Sequence, residues 1–266
     1  MTNDTTIDVT ATAGLSHDEA MDLQAAELER TLDFLAGLDT SDWSARTDCP
    51  DWDVRRMYLH VLGACAAGAS MKENAHQMRL ARRHRKAQGG PLEAALSHVQ
   101  VRERLDLDAN QLVARLTAVA PDTVRKRRVL PSLVRRLRIP VDGPVVERWS
   151  LGYLTDTIYL RDLWMHRVDA ARATGRALVL SDDHDGRIVA DVVAEWARRH
   201  GRPFTLTLTG VAGGRFRSDG SSALGSTVPA RPAGEETDLE LDAVEFCRTL
   251  GGRSPGTGLL ATVVPF

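Results

Sequence analysis

The sequence predicts an α+β protein, a helical domain followed by a small mixed domain. Three observations carry this. Capped segments with apolar residues at helical spacing fill the chain up to His200. After Pro203 the pattern alternates with period two, Phe204-Thr-Leu-Thr-Leu-Thr209, as in a half-buried strand. Gly210, Gly213, Gly214, Gly220 and Gly225 then punctuate short segments. The expected division is a disordered tail over 1–14, a helical domain over 15–200 and an α+β domain over 201–266.

Ser16-His17-Asp18-Glu19 reads as a capping box, the Ser16 hydroxyl accepting a backbone N–H and Glu19 reaching back. Leu23, Leu28, Leu32, Leu35 and Leu38 follow on a first helix. Asp39, Ser41, Asp48 and Pro50 break it. Asp51 can cap a second helix, where Val54, Met57, Tyr58, Val61 and Cys65 define a buried face and which runs to about Arg85. Gly89-Gly90-Pro91 ends it, and a third helix extends through Leu116. Five glycines and prolines make 120–146 irregular. A fourth long helix is expected over Val146–Thr174, with Gly175 at its C′ position. Asp183–His200 and Asp242–Leu250 read as shorter helices, and Leu259–Val264 as a last strand.

The 266 residues are 43% hydrophobic, which supports a packed core and excludes wholesale disorder. Cys49, Cys65 and Cys247 are odd in number and widely spaced, which excludes a disulfide scaffold and a CxxC zinc finger. Met1–Gly14 lacks the basic and apolar regions of a signal peptide, and no apolar run approaches a membrane span. A cytoplasmic protein with reduced thiols is expected. Arginine supplies 31 of the 34 basic residues, as a GC-rich genome would produce.

The net charge of -2 conceals a split: Arg79–Arg138 holds fifteen Lys/Arg and five Asp/Glu, a balance of +10, leaving -12 elsewhere. One basic cluster runs from Arg79 to Lys86, and another comprises Arg125–Arg128 with Arg135, Arg136 and Arg138. Nucleic-acid binding would use such charge, but aromatic interleaving and a recognition-helix signature are both missing. A solvated surface is the plainer reading. The alternatives are a rim attracting an anionic substrate and docking onto the acidic stretch Glu235–Asp242.

Three residues carry the candidate chemistry. His60 sits in the second helix, and Asp162 and His166 lie four apart in the fourth, on one face. Facing helices of a bundle can aim such groups at one point, and two imidazoles with a carboxylate suit zinc or another divalent metal, leaving one position open. The bland alternative is an i, i+4 hydrogen bond within one helix.

The ordered set of segments resembles a known family. Pro50–Gly63, read as Pro50-Asp-Trp-Asp-Val-Arg-Arg-Met-Tyr-Leu-His60-Val-Leu-Gly63, is similar to the first metal segment of mycothiol-dependent maleylpyruvate isomerase-like proteins. These belong to the DinB-like superfamily of metal-binding four-helix bundles. Leu160–Gly175 is similar to the family's second metal segment, and Leu241–Arg253 to its sterol-carrier-like C-terminal domain. The resemblance implies that His60, Asp162 and His166 ligate the metal, probed here by one departure: the family usually has Glu or His where this chain has Asp162. It implies mycothiol, the small thiol of actinomycetes, as co-substrate. In one branch the thiolate adds to a double bond, allows rotation and leaves; in another it attacks an electrophile and stays. The resemblance also matches Arg253 to a recurrent arginine, which could clamp a substrate carboxylate or simply lie at the surface. Asp169 could orient a ligand imidazole or pair with Arg172 or Arg176, and Tyr159 could line the pocket or pack.

The functional expectation is a metal-dependent enzyme holding a low-molecular-weight thiol as thiolate for S-transfer or thiol exchange on a small electrophile. One alternative is cis–trans isomerisation of the maleylpyruvate type. Another is a non-catalytic small-molecule-binding or regulatory protein on the same bundle.

Overall fold

The computed structural model describes residues 6–143, 145–220 and 237–266, so Gly225 and the Glu235–Glu236 start of the acidic stretch lie outside the described residues. In chain order the elements are β1 (Thr6–Asp8), α1 (His17–Ala36), α2 (Val54–Ala69), α3 (Met71–Gln88), α4 (Leu92–Arg102), α5 (Ala109–Arg128), the short α6 (Ser132–Arg135), β2 (Arg138–Asp142), β3 (Val146–Ser150), α7 (Tyr159–Thr174), α8 (Arg187–His200), β4 (Phe204–Thr209), β5 (Gly214–Ser218), β6 (Thr237–Asp242) and α9 (Ala243–Leu250). They form two compact units. Ser16–Leu178 is one; Val179–Phe266 together with the first fifteen residues is the other. The expected boundary at 200 therefore moves back to 178, and α8 belongs with the sheet.

In the helical unit, α1, α2, α5 and α7 close a four-helix ring, α1 against α5 and α7, and α2 against the same two. The capping box at α1 forms as expected, with Glu19 N–H donating to Ser16 Oγ at 3.2 Å. The cap of α2 is Asp53 rather than Asp51: its Oδ1 accepts from Arg56 N–H at 2.7 Å. The predicted helix to Arg85 is two helices. Ser70 takes an extended conformation and its hydroxyl accepts from Glu73 N–H, ending α2 and starting α3 in one residue. The predicted third helix likewise divides between α4 and α5, the latter restarted by an Asp108/Gln111 capping box. Against expectation α5 runs through Pro121 to Arg128, because Leu116, Ala120, Thr123, Val124 and Arg127 keep one buried face across the lost backbone donor. Gly63 lets α4 approach α2: a Cβ there would stand 2.5 Å from Gln100 Cβ.

Val146–Ser150, expected as helix, is a strand. It pairs antiparallel with β2, Ile139 opposite Trp149 and Pro140 opposite Arg148. A π-helical segment, Tyr153–Ile158, then leads into α7, which ends at Gly175 with φ +67°. A buried bidentate ion pair links α1 and α7: Arg167 Nε and Nη2 donate to Glu27 Oε1 and Oε2 at 2.6 and 2.9 Å.

The second unit is a four-stranded sheet in the order β1-β5-β4-β6, with α8 and α9. β4 runs antiparallel to β5 and parallel to β6. The expected tail contributes to this sheet, since Ile7 sits opposite Phe216 in the parallel β1–β5 pair. The Trp196 ring packs on Phe204 and Phe246, and its Nε1–H donates to the Leu259 carbonyl at 3.0 Å. That bond holds Gly258–Ala261 as a 3-10 turn in place of the expected last strand.

Glu27→Ala leaves the Arg167 guanidinium buried without this partner. Unfolding by denaturant should show a loss of about 3–5 kcal/mol, whereas a change under about 1 kcal/mol would mean that the pair does not anchor α7.

Candidate metal centre

His60 reaches the site from the middle of α2, whose Met57, Tyr58 and Val61 are buried around it. Asp162 and His166 come from successive turns of α7. The ligand-capable atoms of His60, Asp162 and His166 all lie within 4.8 Å of one another. Asp162 sits between the imidazoles: its Oδ2 is 3.7 Å from His60 Nε2 and its Oδ1 is 3.3 Å from His166 Nε2. The shorter acid thus spans both rings from its own helix. The two rings stand nearly perpendicular, 87° apart, with centroids 5.5 Å from each other.

The donor set fits a divalent metal. The His166 side chain is 3% exposed, yet neither of its ring nitrogens has a hydrogen-bond partner among the described residues. His60 Nδ1 is likewise buried without one. Buried imidazole nitrogens normally find partners, so a nitrogen aimed at a carboxylate without hydrogen-bond geometry is suited to an ion between them. Asp169 is fully buried, with Oδ2 3.8 Å from His166 Nδ1 and accepting from Cys49 Sγ at 3.7 Å. His166 therefore shows one nitrogen to Asp162 and the other to Asp169, the relation that fixes tautomer and ring orientation in metal–histidine–carboxylate arrangements. The alternative partners of Asp169 are engaged elsewhere: Arg172 lies 3.6 Å from Asp48, and Arg176 2.8 Å from Asp42.

Two residues escape a reading by spacing. Trp52 lies against both imidazoles, its ring centroid 5.0 Å from His60 and 6.1 Å from His166. Cys49 joins His166 and Asp169 in a second potential ligand group. Both precede α2 in the loop that its Asp53 cap anchors; Trp52 falls inside the Pro50–Gly63 segment and Cys49 lies just before it. Tyr159 lines a small cleft of about 20 Å³, partly open to solvent, which Asp162 also borders. Arg253 belongs to the other unit, where its Nη1 donates to the Gly251 carbonyl at 3.0 Å.

The charges reinforce each other. Burial pushes the Asp162 carboxyl up, but the two histidines overcome this and hold it well below the usual carboxylate range. Burial likewise pushes His166 down, and the adjacent Asp162 carboxylate, with Asp169 and Cys49, raises it well above an ordinary histidine.

Fold and site together define a helical-bundle protein with a two-histidine, one-carboxylate centre. The chain belongs to the family described as the mycothiol maleylpyruvate isomerase N-terminal domain, which matches residues 24–171. The chain is similar in fold to the crystal structure of the mycothiol-dependent maleylpyruvate isomerase at a TM-score of 0.57 and 14% identity, over 91% of this chain and 93% of that one. A variant of that enzyme with one histidine replaced by alanine matches at 0.56, with the same identity and coverage. No curated protein matches the sequence.

In chelator-treated protein, NMR titration should place the His166 midpoint above the ordinary histidine value of 6.5. The sign follows from linkage. A raised histidine stabilises the fold fully below its unfolded pKa, and this is lost as pH rises through the raised one. A depressed Asp162 stabilises above 3.8 and is lost as pH falls through its own value. The pair should stabilise metal-free protein most between these ordinary values, and Asp162→Asn should remove the upward displacement of His166. A His166 midpoint at or below 6.5 in the unsubstituted protein contradicts the assigned contact.

Proposed function

We propose that this protein is a metal-dependent enzyme of the actinobacterial cytoplasm that uses mycothiol as co-substrate for S-transfer or thiol exchange on a small electrophile. The observation that carries this reading is the buried His166, with both ring nitrogens lacking a hydrogen bond among the described residues, beside Asp162 and His60. His60 Nε2, Asp162 and His166 Nε2 would hold the ion, with zinc the best match to this donor set. When bound, a divalent metal with one open position lowers the pKa of a coordinated thiol and keeps it as a nucleophilic thiolate.

The protein groups do the rest. Asp169, 3.8 Å from His166 Nδ1, stands where it would take that N–H and keep Nε2 directed at Asp162 once the ring ligates a metal. Trp52 covers the imidazoles on one side and restricts water there. Cys65 is a poor nucleophile for this step, since burial raises its thiol pKa, which fits a reaction that uses an external thiol. A second reading, cis–trans isomerisation of the maleylpyruvate type, is favoured by the activity named for the similar crystal structures. Both differ from a non-catalytic binder in requiring turnover.

Elemental analysis of protein purified without chelator should find close to one divalent ion per chain, and His166→Ala and His60→Ala should each lower this severalfold. Full metal content in both variants removes the ligand assignment. Thiol bookkeeping separates the two reactions: S-transfer consumes mycothiol mole for mole with product, and isomerisation leaves it unchanged. An absence of any thiol-dependent turnover across electrophile classes favours the binder.

A further inference from the structure

The loop before α2 is closed on itself and carries two side chains to the metal centre. Its ends meet where Val54 N–H donates to the Ala45 carbonyl at 3.0 Å, and Arg46 and Asp53 form an antiparallel bridge. Inside it, Thr47 Oγ1 donates to the Trp52 carbonyl at 2.9 Å and accepts from Cys49 N–H at 3.2 Å. Trp52 N–H in turn donates to the Cys49 carbonyl at 2.9 Å. Cys49 and Trp52 are thereby fixed relative to each other. Trp52 lies against the His60 and His166 rings. Cys49 sends its thiol to the Asp169 side of His166, where Sγ–H donates to Asp169 Oδ2 at 3.7 Å.

That one carboxylate oxygen faces two groups. His166 Nδ1 stands 3.8 Å from the same Oδ2 that takes the thiol hydrogen. Asp169 is fully buried, and a buried carboxylate is costly unless donors hold it. His166 Nδ1 is also buried, without a hydrogen bond among the described residues. Its N–H is suited to Asp169 once the opposite nitrogen is committed to a metal. Cys49 differs from the other two cysteines here: Cys65 and Cys247 are buried, whereas Cys49 is half-buried in its loop. Its thiol is thus the point at which the closed loop touches the acid behind His166.

We propose that Cys49 is a positioning residue of the metal centre: its S–H holds Asp169 Oδ2 where it can receive His166 Nδ1–H, and through that acid it sets the ring for metal binding. In this role Cys49 is neither ligand nor nucleophile. The inference rests on the metal reading given under the proposed function. A purely structural place in the loop would accept any small side chain. Positioning requires a hydrogen-bond donor at the Sγ position, which serine keeps and alanine lacks.

The test titrates chelator-treated full chain with cobalt(II), whose visible spectrum reports binding and whose paramagnetism shifts the ring N–H signals of ligand histidines in NMR. Cys49→Ala should bind cobalt about 10-fold more weakly than the unsubstituted protein. Its His166 ring N–H should also exchange faster with solvent. Cys49→Ser should bring both readouts back near the unsubstituted values. An unchanged affinity or an unchanged exchange rate in Cys49→Ala overturns the inference, and so does a Cys49→Ser that loses as much as Cys49→Ala. An intense near-ultraviolet sulfur-to-cobalt band in the unsubstituted protein, absent from Cys49→Ala, would make Cys49 a ligand and equally overturn it. The two levels separate cleanly. Cobalt binding that Cys49→Ala leaves untouched removes the positioning role alone, whereas no cobalt binding by the unsubstituted protein removes the metal reading and this role with it.

Discussion

The buried pair between Glu27 and Arg167 sets the rotation of α7, and the site depends on that rotation. Successive residues on an α-helix are about 100° apart. Once Arg167 is pinned to α1, His166 must face a different neighbour, and that neighbour is α2 with His60. Asp162, one turn earlier, shares the face of His166, and Asp169 faces the other edge of the same ring. A charge pair in the core is weak evidence of net stability, because desolvation offsets much of its attraction. Here its consequence is geometric: it distinguishes one setting of α7 from those a few tens of degrees away.

Electrostatics then divide the bundle interior into two regions. Around Asp162 the negative charge is shared by two imidazoles, which a metal ion can replace as the positive partner. Next to it, Arg127 presents positive charge that no described side chain neutralises by ion pairing. Asp162 belongs to the metal-ligand group and also lines the small cleft that Arg127 and Tyr159 border. Most of the +10 balance of Arg79–Arg138 lies at the surface, while Arg127 is buried, Arg104 is largely covered against Glu73 and Arg135 pairs with the buried Asp156.

Much of this was legible in the chain. The Ser16 capping box, the Gly175 stop and the alternation over Phe204–Thr209 are local signals, and each forms as its chemistry requires. The i, i+4 relation of Asp162 and His166 is also local, and the matching segment supplied His60. What escaped depends on long-range packing. Val146–Ser150 is a strand because β2 lies beside it, and Thr6–Asp8 because β5 does. Helix α5 survives Pro121 through its buried face. Cys49 and Trp52 lie in a loop without periodicity, so only folding reveals them beside His166. Arg127 was hidden inside a run of four basic residues whose composition points to solvent.

The central claim, that His60, Asp162 and His166 hold a metal able to accept a thiol, is tested most directly by X-ray absorption at the metal edge of zinc-loaded protein, before and after mycothiol is added. The account predicts two imidazole nitrogens and a carboxylate oxygen at about 2.0–2.2 Å, with a sulfur scatterer appearing near 2.3 Å on addition of the thiol. A spectrum without imidazole scattering, or one in which mycothiol leaves the metal's surroundings unchanged, would contradict it.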